Sequence, residues 1–383
     1  MWVIAPDKFK GTLTAQQAAD AIARGLKNFD IPCVEIPLGD GGDGTAEMVA
    51  RGDKMTELVI PDIQDAYGQP INVTCYRGKR DKNKCVAEVA SVVGLVKAKA
   101  RGEVNAMDAS SAGVGELINR LLANGMTDIT LCLGGSATSD GGAGCLQAMG
   151  AKFYIGGEEV REPITPSLLG LVERIDMSGL RARGRLTMLC DVNVPLLGKK
   201  EGEMSAIDFA RQKGVREEDM PALRRALENW ARLAGASPYE PMCGAAGGLG
   251  FGLKLAGWVE AVLTKGAEYM IELTGIGEIE NLEGVITGEG SVDRQSWTGK
   301  VVGALWKVCV EKGVPLIVIA GCVGDDVWDG TGGQCGKEPA GTGITIIDSS
   351  YGHAEKVPPS VGEAMRRVTE AARRAGEIIR TMS

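Results

Sequence analysis

The sequence predicts an α/β protein with two α/β domains, one of them a Rossmann-like parallel sheet built from both ends of the chain. Short buried strand patterns alternate with amphipathic helix patterns near both termini. The middle of the chain holds three strand patterns with no helix between them. A length of 383 residues also exceeds what one hydrophobic core usually supports. We therefore expect a second, inserted α/β domain with a mixed sheet.

The N-terminal part follows the order strand, helix, strand, helix. "WVIAP" is a short buried strand ended by proline, and Thr14 and Gln17 form a capping-box pattern before an amphipathic helix. "CVEIPL" is the second strand, which leads through "GDGGDGT" (residues 39–45) into the helix start "AEMVA". This alternation is typical of an open, mostly parallel sheet.

The inserted domain begins where the alternation stops. "ELVI", "INVTCYR" and "CVAEVA" predict antiparallel strands, followed by the helix "AGVGELINRLLANG" and the strands "DITLCLGG" and "RLTMLCDV". The strands "GVITGEG", "PLIVIAG" and "GITIID" restore the parallel order late in the chain. We expect one domain from residues 1–65 and 284–383 and the other from residues 66–283. A cleft between two such domains is a common place for a small-molecule site.

Composition excludes several classes of function. The net charge of −8 argues against nucleic acid or an anionic membrane as partner. No charge-free window is long enough to span a membrane, and the N-terminus has no signal-peptide pattern, so we expect a cytoplasmic protein. Ten cysteines without a C-x-x-C pair and a single histidine, His353, argue against a zinc site; we expect mostly buried free thiols and a solvated loop histidine.

The first glycine-rich loop, "GDGGDGT", is ambiguous. Gly39, Gly41 and Gly44 satisfy the dinucleotide fingerprint formally, but the match follows the second strand and two aspartates would repel a pyrophosphate. Asp40 and Asp43 suit a hydrogen-bonded polyol or a magnesium ion better. The structural alternative is that Asp43 or Thr45 only caps a helix.

The second loop, "LGGSATSDGGAG" (residues 133–144), predicts a phosphate site. It follows a buried strand and opens a helix, where backbone N–H groups and the helix dipole attract a phosphate. Ser136, Thr138 and Ser139 can donate to phosphate oxygens, and Asp140 can bind magnesium. An ordinary capped turn needs only one such residue.

Further polar residues stand at predicted strand ends, where open α/β sheets bind ligands. Glu289, Asp293 and Lys300 lie in "VITGEGSVDRQSWTGK", which is not a Walker A loop. Asp191 ends "RLTMLCDV" and could accept a proton from a hydroxyl. Lys8 and Lys10 follow the first strand and could hold an anion. "CGAAGGLGFG" (residues 243–252) indicates a close approach of backbones, for function or for packing.

Phosphate loops, strand-end carboxylates and lysines, without a histidine base or metal-binding cysteines, together describe phosphoryl transfer. At these motifs the chain closely resembles the type 1 glycerate kinase family. The resemblance rests on "APDKFKGTLTAQQAADAI", "GDGGDGT", "GVGELI", "LGGSATSDGGAG", "CDVNVPLLG", "QKG", "GAAGGLGFGL" and "VITGEGSVDRQSWTGK", in family order over nearly the whole chain.

The resemblance implies an ATP-dependent kinase that acts with magnesium on D-glycerate and typically yields 2-phosphoglycerate. It also implies two α/β domains with the active site in the cleft between them, and one Asp-Gly-Gly loop contributed by each domain. From patterns and resemblance together we expect catalytic Asp191 and Lys10, substrate-binding Asp7, Lys8, Asp40, Gly41, Gly42 and Lys213, nucleotide-binding Gly134, Gly135, Ser136, Thr138, Ser139, Gly288, Glu289 and Gly290, and metal-binding Asp140 and Asp293.

The sequence departs from the family pattern in several loops. Lys8 stands where serine is usual, Ala112 where arginine or tyrosine is usual, and Val194 where asparagine is usual. If the usual residue at Ala112 helps to hold the substrate carboxylate, either Lys8 compensates for its loss or the enzyme is a kinase of another small hydroxy acid. A non-catalytic binding relative is the other alternative. The retained strand-end carboxylates argue against a non-catalytic role. The oligomeric state, including a homodimer, is not determined by the sequence.

Overall fold

The structure of the protein is a computed structural model that describes residues 1–102, 104–200, 202–297, 299–324, 344–349 and 359–382. His353, which we expect in a solvated loop, lies outside the described residues. The strands are β1 (Trp2–Ile4), β2 (Cys33–Glu35), β3 (Thr56–Gln64), β4 (Pro70–Arg77), β5 (Lys84–Glu88), β6 (Asp128–Cys132), β7 (Lys152–Ile155), β8 (Glu158–Glu159), β9 (Arg174–Asp176), β10 (Arg185–Cys190), β11 (Glu260–Lys265), β12 (Gly284–Glu289), β13 (Leu316–Ala320) and β14 (Ile344–Asp348). The α-helices are α1 (Ala15–Leu26), α2 (Thr45–Gly52), α3 (Val89–Val93), α4 (Leu95–Ala100), α5 (Ala112–Ala123), α6 (Ala143–Ala148), α7 (Pro166–Leu169), α8 (Met220–Ala234), α9 (Ala245–Lys254), α10 (Gly266–Thr274), α11 (Val301–Lys312) and α12 (Val361–Met382).

These elements form two compact units. Unit 1 comprises Met1–Asp40 and Gly266–Ser383, and unit 2 comprises Gly41–Lys265. The units begin and end at other residues than the domain limits expected from the sequence, 1–65 with 284–383 and 66–283. Because compactness does not by itself identify a segment that folds independently, those domain limits stay a prediction.

Unit 1 contains the parallel sheet built from both chain ends, which confirms the predicted fold class. Its strand order is β14-β13-β12-β1-β2, and every pair in it is parallel. Helix α1 begins with the predicted capping box, in which the Thr14 side chain accepts from Gln17 N and the Gln17 side chain accepts from Thr14 N. Helices α1 and α12 pack closely: a Cβ added at Gly25 would lie 2.5 Å from Ala372 Cβ. Because all strands run one way, β1 and β12 end at the same edge of the sheet.

Unit 2 contains the separate mixed sheet, with strand order β11-β10-β6-β5-β4-β3. Strands β11, β10, β6 and β5 are parallel, and β4 and β3 continue the sheet in antiparallel pairs. The antiparallel pairing of the three helix-free strand segments is thereby confirmed. A small third sheet, β8-β7-β9, is an addition that the sequence analysis does not predict. The carboxyl ends of β6 and β10 lie side by side and carry the second glycine-rich loop and Asp191.

Two composition-based expectations can be compared with the described residues. The described cysteines are all free; Cys33 and Cys322 are exposed, and the buried ones are Cys75, Cys85, Cys132, Cys145, Cys190, Cys243 and Cys309. None of the helices in the described ranges combines the length and the apolar composition needed to cross a lipid bilayer.

Candidate active site

The two Asp-Gly-Gly loops touch each other through residues of unit 2. Gly134 N donates to Gly41 O at 3.1 Å, and a Cβ added at Gly134 would lie 2.3 Å from Gly42 Cα. Gly41 has φ +98°, and a Cβ there would lie 2.9 Å from the carbonyl oxygen of Leu189 at the end of β10. Only glycine allows both backbones to come this close. The first loop crosses from unit 1 into unit 2 between Asp40 and Gly41, and the expectation that each domain contributes one loop stays a prediction.

Asp191 lies beside this contact. It follows β10 directly, is partly exposed, and its Oδ2 would lie 3.0 Å from a Cβ added at Gly134. Burial, reinforced by the neighbouring Asp191 charge, raises the pKa of the Cys190 thiol well above its usual range, so this cysteine stays a neutral core residue. The structure thus brings the predicted Asp191, Gly41, Gly42 and Gly134 together.

Lys213 supplies a buried cation at the second loop. Its Nζ donates to Ser136 Oγ at 3.0 Å and to Thr138 O at 2.7 Å, and only 4% of the residue is exposed. A short 3-10 helix, Arg211–Lys213, presents it and ends at Gly214, whose φ is +82°. Burial lowers the pKa of Lys213 to about 8, although the Asp191 and Asp140 charges act in the opposite direction.

Two hydroxyl groups of the same loop have no hydrogen-bond partner among the described residues. They are Thr138 Oγ1 and Ser139 Oγ, in residues that are 0% and 1% exposed. Buried polar groups are nearly always satisfied, so each exception needs an explanation. A ligand with acceptor oxygens next to Lys213 would satisfy both. Gly135, which lies between the end of β6 and these hydroxyls, has φ +73°, a left-handed backbone conformation that favours glycine.

Asp140 is arranged differently from the other predicted residues of the loop. It is fully buried, and its carboxylate accepts four hydrogen bonds: from Ser111 N (2.8 Å), Ser111 Oγ (2.7 Å), Gly142 N (3.2 Å) and Gly144 N (3.2 Å). Burial raises the pKa of the Asp140 carboxyl, while these hydrogen bonds act to lower it. An ion would have to compete with four donors for its oxygens, so the carboxylate does not fit the expected magnesium role.

Unit 1 contains a second cluster of predicted residues. Asp7 follows β1, with 5% of its side chain exposed, and its Oδ1 accepts from Lys8 N at 2.7 Å. Lys8 Nζ lies 2.9 Å from Asp40 Oδ1 and 3.9 Å from Asp7 Oδ1. Burial, with the Asp40 charge next in importance, raises the pKa of Asp7 to about 8. Lys8 therefore already neutralises a carboxylate within unit 1.

The end of β12 completes this cluster. Glu289 Oε1 is buried and accepts no hydrogen bond from any residue that the structure describes, and Lys300 Nζ lies 3.5 Å from Glu289 Oε2. Burial raises the pKa of Glu289, and Lys300 partly offsets this effect. Asp293 is half-buried; its Oδ1 accepts from Gln295 N at 2.8 Å and Ser296 N at 3.3 Å.

The remaining predicted residues of unit 1 line the same strand ends. Gly288 O accepts from Asp7 N at 2.9 Å, which joins the ends of β12 and β1. A Cβ added at Gly290 would lie 3.1 Å from Lys10 N, so this glycine permits a close backbone contact. The Lys10 side chain is exposed and makes no ion pair with the described residues.

Comparison with known proteins identifies the family. The chain matches the family described as "Glycerate kinase family" over residues 2–379. This chain belongs to the glycerate kinase family. It is 36% identical to the glycerate kinase of Halalkalibacterium halodurans over 336 residues, 84% of this chain and 85% of the relative. It is 34% identical to the glycerate 2-kinase of Escherichia coli K12 over 337 residues, 85% of this chain and 86% of the relative.

A solved structure agrees with this assignment. The crystal structure from Salmonella typhimurium LT2 that carries the provisional name glycerate kinase 2 superimposes with a TM-score of 0.75 and 28% identity, covering 100% of this chain and 98% of that one. The predicted family, fold class and kinase character of this glycerate kinase family member are therefore confirmed.

Sequence reasoning missed one residue that binds the second loop, and it did not assign the packing partner of one glycine-rich motif. Ser111, which binds Asp140, stands before α5 in "SSAGVGE", where a serine that precedes a helix could have signalled a cap. In "CGAAGGLGFG", Ala246, Gly247 and Gly248 all adopt left-handed backbone conformations within α9. A Cβ at Gly247 would lie 2.0 Å from Thr138 O, so this motif packs on the second glycine-rich loop.

The family departures at Ala112 and Val194 both fall on buried positions of unit 2. Each residue is 8% exposed. Ala112 is the first residue of α5, and Val194 O accepts from Gly244 N at 2.9 Å. Both positions are therefore part of the packing around the glycine-rich segments.

The raised pKa of Asp7 predicts a pH-dependent effect on stability in this family member. Folding moves it from 3.8 to about 8, so the native state binds the proton more tightly, and stability falls as pH rises through this range. Asp7→Asn lacks this titrating group. Between about pH 5 and about pH 8 the wild type should therefore lose roughly 2–4 kcal/mol more of its free energy of unfolding than the variant does. Urea-induced unfolding at both pH values measures it, with Asp20→Asn, on exposed α1 surface, as control. An equal difference between Asp7→Asn and wild type at both pH values would contradict the assignment.

Proposed function

We propose that this enzyme transfers the γ-phosphoryl group of ATP to a hydroxyl of D-glycerate, with magnesium, and forms 2-phosphoglycerate. The observation that carries the proposal is the buried Lys213, which is held by Ser136 next to the unpaired hydroxyls of Thr138 and Ser139. A buried cation beside buried donors that lack acceptors is suited to phosphate oxygens. Family membership and the names of the relatives support glycerate as acceptor and its 2-hydroxyl as the phosphorylated group.

The phosphates are bound and oriented by one positive charge and several hydrogen-bond donors of the second loop and its neighbour. These are provided by Lys213, Ser136, Thr138 and Ser139. Asp191, beside the same loop, accepts the proton of the glycerate hydroxyl. At the same time the oxygen of that hydroxyl bonds to the γ-phosphorus of ATP, and ADP leaves. The lysines Lys8 and Lys10 of unit 1 are proposed to hold the glycerate carboxylate or developing negative charge.

Carboxylates of unit 1 fit magnesium. Glu289 Oε1 has no hydrogen bond, and Oδ2 of Asp293 accepts none from the described residues. The described residues contain no group of three metal-ligating side chains, but magnesium usually takes only one or two carboxylates together with substrate phosphates. Asp293 and Glu289 would hold the ion, and bound magnesium would neutralise charge on the phosphates. A cytoplasmic location and a homodimer stay predictions.

The proposal is tested by ADP release from purified protein with ATP and magnesium, comparing D-glycerate, L-glycerate and tartronate. We expect turnover with D-glycerate only and a phosphorus spectrum of the product that matches 2-phosphoglycerate. Turnover with another acid alone would instead support a kinase of a different hydroxy acid. Binding of ATP and D-glycerate without turnover would contradict the proposal and support the non-catalytic alternative.

A further inference from the structure

The turn that follows Asp140 uses its own backbone donors internally. The first amides of α6 and its approach bind protein groups: Gly142 N and Gly144 N donate to the Asp140 carboxylate, and Ala143 N donates to Asp140 O at 3.1 Å. Cys145 N donates to Ser111 Oγ at 2.9 Å. These amides already donate to protein groups, so a phosphate at this loop would depend on other donors, namely Lys213 and the hydroxyls of Ser136, Thr138 and Ser139.

The Asp140 carboxylate also ties the loop to another element. Ser111, which directly precedes α5, donates to Asp140 Oδ2 from both its backbone nitrogen and its hydroxyl, and both residues are 0% exposed. Ser111 Oγ in turn accepts from Cys145 N, so one hydroxyl links α5, Asp140 and α6. Buried hydrogen bonds to a charged group are among the stronger ones in proteins.

The opposite side of the loop is held as well. Gly141 N donates to Gly247 O at 3.0 Å, and Gly141 O accepts from Trp230 Nε1 at 2.9 Å. The left-handed segment from Ala246 to Gly248 allows this approach, although alanine seldom adopts a positive φ such as the 53° of Ala246. The backbone around Gly141 is thus fixed from two directions, while the hydroxyls of Thr138 and Ser139 are left unpaired.

We propose that Asp140 and Ser111 are positioning residues: their buried contact fixes the loop that presents Ser136, Thr138 and Ser139, so that ATP phosphates meet a preformed site. This inference rests on the proposed function. It replaces the magnesium role expected for Asp140, since magnesium would have to displace four hydrogen-bond donors from the carboxylate. Preformed donors are effective in phosphoryl transfer because they need no reorganisation during the reaction.

Two variants test the contact. Asp140→Asn turns one acceptor oxygen into an NH2 group that faces existing donors, and Ser111→Ala removes one donor and the acceptor for Cys145 N. Each should raise the KM for ATP by about tenfold to a hundredfold with a smaller change in kcat. The double variant should be little worse than the poorer single variant, because both changes break one network. Half-saturation by magnesium should stay as in wild type, whereas Asp293→Asn should shift it.

Amide hydrogen exchange provides a readout that does not need catalysis. Both variants should exchange faster in the peptide covering residues 141–145 than wild type, while the peptide covering residues 301–312 of α11 should not change. Ser111→Ala is the milder change and serves if Asp140→Asn does not fold. Unchanged exchange at residues 141–145 would overturn the inference, as would a tenfold or larger shift in magnesium half-saturation for Asp140→Asn alone. Absence of turnover in the wild-type enzyme would contradict the proposed function but leave the exchange result to decide this inference.

Discussion

Replacing Asp191 by asparagine is expected to lower kcat by about two to four orders of magnitude. The change keeps the size of the side chain at the end of β10 but removes the carboxylate that we propose as proton acceptor for the glycerate hydroxyl. Because the residues of the second loop that we propose to bind phosphate are untouched, the KM for ATP should change much less than kcat. Steady-state kinetics at saturating ATP and D-glycerate measure the effect.

A matched control uses the opposite end of the same sheet. Asp128 begins β6, pairs in register with Arg185 at the start of β10, and is partly buried like Asp191. Asp128→Asn should therefore keep kcat within about threefold of wild type, because ligands bind at the carboxyl ends of the strands. Wild-type turnover in Asp191→Asn would rule out its role as proton acceptor.

The second large effect is expected from Lys213→Met, which removes the buried cation but nearly preserves the volume of the side chain. The kcat should fall by roughly a hundredfold to a thousandfold, which is the usual consequence of removing one preorganised electrostatic contact. The fold should tolerate the change. Burial lowers the pKa of Lys213 to about 8, which means that the native state disfavours the charged amine. Methionine removes this cost of burying a charge, and that gain in stability offsets the loss of the hydrogen bonds to Ser136 and Thr138.

Two measurements separate charge from structure in Lys213→Met. Urea-induced unfolding at neutral pH should differ from wild type by less than about 2 kcal/mol, since the two contributions have opposite sign. Lys307→Met, which removes an exposed lysine paired with Glu268, should leave kinetics unchanged. Full activity in Lys213→Met would contradict the phosphate role, and a collapse of stability would indicate that Lys213 acts mainly as a structural residue.

The pH dependence of wild-type kcat/KM provides a further check on Lys213. Only the protonated amine carries charge, so kcat/KM should decline as pH rises through about 8. Asp7 titrates in the same range, also at about 8. The decline should therefore persist in Asp7→Asn and be absent from the residual activity of Lys213→Met.

The candidate site was only partly predictable because a motif shows which polar groups are present but not where their hydrogen bonds go. Asp140 and Ser139 are neighbours in one loop, and the sequence suggests a ligand role for both. In the structure Asp140 accepts four hydrogen bonds, two of them from Ser111, whereas Ser139 Oγ has none. The difference comes from the start of α5, 29 positions before Asp140.

The sequence by itself determined the alternation of strands and helices, the capping box before α1, the family, and the placement of carboxylates and glycines at strand ends. These features depend on local periodicity and on residues within a few positions of each other. Only the tertiary structure decided that the two Asp-Gly-Gly loops touch at Gly41 and Gly134, that Lys213 binds a hydroxyl 77 positions away, and that Asp140 is enclosed by donors. The physical reason is that these contacts depend on which distant backbones can approach, and that is decided by close packing of glycines such as Gly41, Gly134 and Gly247.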